Sequence, residues 1–517
     1  MSPGIRKLVM AIDQGTTSTR CITFDQSGSV AHSSFAEFSQ IYPKPGWVEH
    51  DPEDIFQSVL TCISDLGIDP NKDFIEGIGI TNQRETIVAW DRITGKSFHN
   101  AIVWLDTRTH DLVKAEIKSS PSLGVDKYRS ITGLPVSTYF SALKIKWLID
   151  NVPKVAEGIS QGRCCFGTID SYLTWRLSNG ESFVTDCTNA ARYNLMNIET
   201  LEWSESICNS LGIPITSLPS IVSNSELVGH VHEGVIPALT GVGITALIGD
   251  QHAALLGHAC TDKHDCKITY GTGCFLLMNT GNAPVQSASR ALLTTVAYKL
   301  GPHASVVYAL EGSVAAAGRG VKWAQENLRI GNDLDEFNEI ASSVPDTCGV
   351  TFVPAFSGLF APYWRPDARA IVVGMSLRAS YKHIARSILE STALQCAEVV
   401  KLLRDDASLC PAELTRIVTD GGMTKSSLLM QIQSNLLGFE VKRARMTEST
   451  AFGAALSAGF HLGFWNQLSP KDLVHTQSGY DSFAPNMTEV ERRSAFIRWE
   501  DAVKRSFDLA KFAPGEE

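Results

Sequence analysis

The sequence predicts an α/β protein built from two related domains, and three observations carry that expectation. Strand-like runs alternate with helical patterns through both halves of the chain. The chain has 517 residues, more than one hydrophobic core organises. A strand–turn–strand pattern near residue 10, LVMAIDQGTTSTRCITFD, is echoed near residue 270 by CKITYGTGCFLLMNTG. No Pro- or Ser-rich linker separates the halves. The boundary is therefore expected between residues 250 and 265, with domains over 1–257 and 258–517.

The first hairpin is the most informative stretch. Leu8 to Ile12 form an apolar strand that ends at Asp13, and Cys21 to Phe24 form the returning strand. Between them, Gly15, Thr16, Thr17 and Ser18 make a turn whose backbone N–H groups nothing bulky blocks, so it can wrap an anion. An acid at the strand end can hold a hydrated cation. Together these features suggest a nucleotide phosphate site with Mg²⁺. The same residues also read as an ordinary hairpin.

Next, IEGIGITNQ reads as a strand that ends in polar residues, and TNQRET places Arg84 and Glu85 just past it. A guanidinium supplies donors and a carboxylate acceptors, which a polyol requires in one place. A surface ion pair is the alternative. STYFSALKIKWLIDN reads as a helix with Leu143, Trp147 and Leu148 on one side. Trp104, Tyr139 and Phe275 lie beside turns or polar residues, where rings can pack the carbon side of a small polyol or simply fill a core.

GITALIGDQHAALLG puts Asp250 at the carboxyl end of a strand, where open α/β sheets place their chemistry. A carboxylate there can accept a proton from an attacking hydroxyl. It can equally cap the helix that follows. HIARSILESTALQCAEVVKLLRDD is the clearest helix, with Ile388, Leu389, Ala393, Cys396, Ala397, Val400 and Leu403 at helical spacing and Pro411 beyond its end. RIVTDGGMTKSSLLMQIQSNLLG reads as a strand, a Gly-Gly turn and a helix.

Composition excludes several classes. Hydrophobic residues make up 44% and charged residues 19%, as in a globular enzyme. The net charge is −10 with no basic stripe, which argues against a nucleic-acid partner. No apolar run reaches the length of a transmembrane segment. The first ten residues leave no room for a signal peptide before the first strand, and the twelve cysteines are scattered without a C-x-x-C, so a cytoplasmic setting is expected. Neither a Walker loop nor a complete G-x-G-x-x-G occurs. His230, His232 and His252 lack a third ligand nearby and are expected to be satisfied structural histidines.

Taken together, AIDQGTTSTR, PGWVEHDP, TNQRET, AIVW, GDQ, YGTGCFLL, TDGG and TAFGAAL closely resemble the FGGY family of carbohydrate kinases, over about residues 8 to 465. The resemblance implies two duplicated domains of the actin, hexokinase and Hsp70 type (ribonuclease H-like) with a cleft between them. Within the family it implies ATP-dependent phosphorylation of glycerol to sn-glycerol 3-phosphate. By that likeness Arg84, Glu85, Tyr139, Asp250 and Gln251 hold the glycerol hydroxyls, Trp104 and Phe275 flank its carbons, and Asp250 is the general base. Thr16, Thr17, Ser18 and Arg20 are implied as phosphate-loop residues and Asp13 as the Mg²⁺ anchor. Thr272, Gly318, Lys322, Gly422 and Ser426 lie in the implied nucleotide region. Lys322 stands where relatives often carry Gln, and Ser426 where they often carry Asn. A homodimer is implied by likeness only. The rival readings are a kinase for a pentose, gluconate or larger polyol, and a non-catalytic or chaperone-type ATP-binding protein.

Overall fold

A computed structural model describes residues 5–356, 358–408, 416–465 and 479–512. Pro411 and Cys410 lie outside the described residues. In the first lobe, β1 (Arg6–Gln14), β2 (Ser18–Phe24) and β3 (Val30–Glu37) form an antiparallel meander. Helix α1 (Pro52–Asp65) follows, then β4 (Asp73–Asn82) runs parallel to β1, and β5 (Gly243–Gly249) runs parallel to β4. Between β4 and β5 the chain inserts three strands, which complete a small four-stranded sheet with Glu49–His50, and α2 (Ser141–Asn151), whose helix begins only after Tyr139.

The second lobe repeats this plan. Strands β6 (Asp265–Tyr270), β7 (Cys274–Gly281) and β8 (Val307–Val314) form the meander, β9 (Arg416–Asp420) lies parallel to β6, and β10 (Val441–Ala444) lies parallel to β9. The strand orders β3-β2-β1-β4-β5 and β8-β7-β6-β9-β10 are the same, with the same directions. The two-domain α/β fold expected from the echoed hairpins is therefore present. The helix periodicity around residue 390 resolves as α5 (Tyr381–Asp406), after α4 (Gly318–Leu328) and before α6 (Ser427–Leu437).

Strand β1 does not alternate apolar and polar residues, because both of its faces are covered. Leu8, Met10 and Ile12 face Ile55, Val59 and Cys62 of α1. Val9 and Ala11 face Ala451, Ala454, Ala455 and Ala458 of α7 (Ser449–Leu462), which comes from the far end of the chain. The exchange runs both ways. Leu255 of α3 (Asp250–Gly257), the helix that closes the first lobe, packs with Leu277, Ala309 and Val418 of the second-lobe sheet. Each of these two helices thus helps cover the other lobe's sheet.

The two exchanged helices cross at backbone contact. A Cβ on Gly453 would lie 1.8 Å from the Ala253 carbonyl oxygen, and one on Gly257 would lie 1.9 Å from the Ser449 carbonyl oxygen. Only glycine allows this approach. Gly453→Val is expected to cost at least about 2 kcal/mol, the scale of a strained core insertion. Urea unfolding checks it, and a change below about 0.5 kcal/mol, as at an indifferent surface position, would contradict the crossing.

Candidate active site

The ends of β1, β4, β5 and β6 meet at a cavity of about 190 Å³ between the lobes. The first lobe contributes Thr16, Arg84, Glu85, Trp104, Tyr139, Asp250 and Gln251, and the second contributes Thr269, Gly271, Thr272, Gly273 and Phe275. The sequence-predicted polyol residues are therefore brought together. The volume falls below the ~300–1,000 Å³ of drug-sized sites, so the cavity suits a ligand of a few heavy atoms.

Arg84 and Glu85 are not a surface pair, contrary to one reading of the sequence: each is 2% exposed. Nor do they pair with each other. β4 ends at Asn82, and Glu85 takes a left-handed conformation (φ 62°) that sends the two side chains to different partners. Arg84 forms a bidentate pair with Glu311 of the second lobe (2.7 and 3.0 Å), and its Nε lies 3.2 Å from Asp250 Oδ1. Gly249 is required beside it, since a Cβ there would come within 2.9 Å of the Arg84 stem. Glu85 is held by Arg192 at 2.6 Å, and Arg192 also reaches Glu311 at 3.2 Å.

Asp250 is not a helix cap either. The cap position belongs to Gly249, and Asp250 is the first residue of α3, its Oδ1 accepting the Gln251 N–H at 2.7 Å. The Gln251 side chain accepts from the Lys267 ammonium, which also donates to Thr269 Oγ1 at 2.8 Å. The rings form the walls: Trp104 meets Tyr139 and Phe275 edge-on at 5.7 and 5.8 Å, and its indole N–H donates to Thr16 Oγ1 at 3.0 Å. At the start of α2, the buried Lys144 side chain donates to the Tyr139 and Phe140 carbonyls.

The environment separates the carboxyl groups. Burial raises Asp250 above the ordinary carboxylate range, with the Arg84 guanidinium partly offsetting it. Burial also raises Glu85 against its two arginines. Glu311 is equally buried, yet Arg192 and Arg84 more than compensate and bring it down to about 2. Asp13, at the end of β1, is pushed up to about 7 by burial, with Arg20 partly offsetting.

The remaining predicted residues are dispersed. Thr17 and Arg20 are exposed and Ser18 is half-buried, with Arg20 reaching Glu448 of the second lobe at 3.4 Å. A second cavity, of about 490 Å³, is lined by Gly318, Lys322, Gln325 and Met423 among others. Lys322 is exposed on its rim, 3.8 Å from Glu326. Gly422 is exposed beside Met423, and a Cβ on it would meet nothing. Ser426 lines neither cavity: it is 1% exposed and caps α6 by accepting from the Leu429 N–H at 3.1 Å.

Of the histidines, His232 accepts from the Gly234 N–H at 3.1 Å and His230 is exposed on an edge strand. His252 departs from expectation. It is fully buried with no hydrogen-bond partner on either ring nitrogen among the described residues, and burial with nearby cations keeps it neutral. No cluster of three metal-ligating side chains occurs among the described residues.

Sequence reasoning missed Arg192, Lys267, Thr269 and Glu311. The signal was clearest for Glu311, the one charge in the strand VYALEGSV, and present for Lys267, which sits between Cys266 and Ile268 inside DCKITY.

The chain matches the model of the FGGY family of carbohydrate kinases, N-terminal domain, over residues 8–257, and that family's C-terminal domain over residues 266–462. It is 46% identical over 514 residues to "Glycerol kinase 2" of Streptomyces avermitilis, covering 98% of both chains. It is 44% identical to the "Glycerol kinase" of Arabidopsis thaliana, covering 97% of this chain and 98% of that protein. Among solved structures it is similar to Plasmodium falciparum glycerol kinase with ADP, with a TM-score of 0.87 at 38% identity, covering 97% of this chain and 99% of that one. A gluconate kinase from Lactobacillus acidophilus shares the fold at 22% identity.

Arg192 is fully buried and holds two carboxylates, so Arg192→Met strands negative charge in the core. A loss of about 3–5 kcal/mol is expected, the usual cost of removing one partner of a buried pair. An unchanged urea midpoint would mean that Glu85 and Glu311 are sufficiently paired without it.

Proposed function

This chain belongs to the FGGY family of carbohydrate kinases, and from that premise we propose that it phosphorylates glycerol with ATP, giving sn-glycerol 3-phosphate. The observation that carries the reading is the convergence of Arg84, Glu85, Tyr139, Asp250 and Gln251 on one small ring-walled cavity that also touches both glycine-threonine turns. Three hydroxyl groups need donors and acceptors together, and this set offers both. A cavity of about 190 Å³ closed by Trp104 and Phe275 favours a three-carbon acceptor over a pentose or gluconate.

In this reading Asp250 orients a terminal hydroxyl and takes its proton as the hydroxyl attacks the terminal phosphorus of ATP in line. Arg84 keeps that carboxylate in place. Its raised affinity for protons suits a base that must let go again at neutral pH. Thr16 and the turn after Gly15 in the first lobe, and Thr272 in the second, present N–H and hydroxyl groups to the phosphates. The larger cavity beside Gly318 takes the nucleoside end, with Lys322 at its rim. Most of the rate enhancement comes from alignment and charge stabilisation.

Asp13 fits a Mg²⁺ anchor. Its carboxylate has no ion pair among the described residues, sits beside the phosphate turn, and would hold the cation as one protein ligand alongside substrate phosphates. When bound, that ion neutralises charge on the phosphates. We propose a division into domains at residues 257/258, a cytoplasmic setting and a homodimer on the same family basis. The Ser426 cap makes that residue a support for α6, which argues against direct nucleotide contact.

Asp250→Asn should fold normally and lower kcat by at least about a hundredfold, the scale of a lost general base. Near wild-type turnover would remove Asp250 from the mechanism. In the wild type, kcat should fall on acidification at a pH above the usual carboxylate range, because the raised Asp250 must be ionised to accept the proton. An acid limb centred near 4 would contradict that assignment. An ADP-release assay across glycerol, xylulose, gluconate and erythritol separates the substrate classes, with glycerol expected to give the highest kcat/KM.

A further inference from the structure

We propose that Lys267 and Glu311, two buried charges on the second-lobe sheet, are positioning residues that hold the acceptor site of the first lobe in its working geometry. The inference rests on the reading of the cavity as the glycerol site.

Their placement is set by strand register. Lys267 opposes Leu277 across β6 and β7, and Leu277 opposes Glu311 across β7 and β8. Directly opposed residues project from the same face, so the three side chains form one row. The row extends to Leu293, which opposes Glu311 on the next strand. Each member meets a different part of the first lobe. Leu293 clusters with Tyr139 and Phe140, Glu311 clamps Arg84 and Arg192, Leu277 packs with Leu255, and Lys267 takes the Gln251 amide oxygen. A single row of the second lobe therefore backs Tyr139, Arg84 and Gln251 from behind.

The chemistry of the row argues for positioning over stability. Lys267 and Glu311 are both 0% exposed, and neither pairs with the other. A buried charge whose chief partner lies across an interface is seldom a net stabiliser, and apolar side chains of similar volume are often better. What the charges add is orientation. The bidentate pair fixes the plane of the Arg84 guanidinium, leaving its Nε on Asp250. The ammonium fixes which way the Gln251 amide faces, so its nitrogen is the group left for a substrate oxygen. Acceptor binding thus depends on how the lobes are docked, and nucleotide binding much less so.

The test compares Glu311→Gln and Lys267→Met, which preserve volume, with Glu311→Asp and Lys267→Arg, which preserve charge. For each, KM for glycerol, KM for ATP, kcat and the thermal midpoint are measured beside the wild type. The neutral variants should raise KM for glycerol about tenfold or more, the scale of a lost charged hydrogen bond, with KM for ATP within about threefold. The charge-preserving variants should recover part of the glycerol KM. A folded neutral variant with glycerol KM within about twofold of wild type, or with both KM values rising together, would overturn the inference. If the neutral variants do not fold, the charge-preserving pair decides: any rise in KM must be larger for glycerol than for ATP, an equal rise in both or no rise in either overturns the inference, and failure of all four to fold assigns the row to stability alone and overturns it. If wild type prefers another polyol of the panel, KM is read for that polyol: the glycerol reading then falls while the positioning role is still tested. Absence of turnover with every polyol overturns both.

Discussion

The rest of the structure depends on the crossing of α3 and α7 at backbone contact. Each helix packs on the sheet of the other lobe, so each lobe contributes to the core of its neighbour. Where they cross, Gly453 meets the Ala253 carbonyl and Gly257 the Ser449 carbonyl, with no room for a methyl group. That separation sets how the two sheets face each other. It brings the turn after β1 and the turn after β6 to one cavity, and it brings Glu311 within 2.7 Å of Arg84 across 227 residues of chain. Backbone joins the lobes elsewhere too, where the Thr294 N–H donates to the Gly133 carbonyl at 3.2 Å and the Asn224 N–H to the Lys299 carbonyl at 2.8 Å.

The acceptor cavity then solves an electrostatic problem set by its own burial. It gathers Glu85, Asp250 and Glu311 with Arg84, Arg192 and Lys267 behind aromatic walls, and such charges are tolerated only when paired. The pairing is uneven. Glu311 has two guanidiniums and is driven down to about 2, which makes it a permanent anion. Asp250 has the side of one guanidinium and keeps 27% of its side chain open to the cavity, and its carboxyl is held above the ordinary range. The same chemical group is thus held ionised in one place and has its proton affinity raised in the other, and the difference lies in its neighbours.

The fold was legible because its signals are local. Apolar runs ended by Asp13, Asn82 and Gly249, and helical spacing from Ile388 to Leu403, are properties of short windows. The cavity residues Arg84, Glu85, Trp104, Tyr139, Asp250 and Phe275 were legible too, since each stands at the end of an element or beside a turn. Local reasoning failed where the answer lay in a distant partner. Arg84 and Glu85 read equally well as a surface pair, because nothing in TNQRET announces Glu311 or Arg192. Asp250 had the form of a helix cap, yet the cap is Gly249, because the helix starts one residue earlier, at Asp250 itself. His252 had the form of a satisfied core histidine, and no partner faces it among the described residues.

Duplication explains the remaining asymmetry between the lobes. Gly15-Thr16 of the first hairpin corresponds to Gly271-Thr272 of the second, so Asp13 corresponds to Thr269. In the parallel neighbours, Asp13 pairs in register with Thr81 on β4, and Thr269 pairs with Asp420 on β9. Each lobe therefore has one acid and one threonine at the same two sites, in exchanged order. The two acids have met opposite fates. Asp420 is buried against His258 at 2.8 Å and accepts the Ser449 hydroxyl, and its carboxyl is held well below the usual range. Asp13 has no such partners among the described residues, and burial pushes it up to about 7. One acid of the duplicated pair is thus spent on joining α3, β9 and α7 beside the helix crossing. The other stands at the end of β1 beside the Gly15-Thr16 turn, with no ion pair among the described residues.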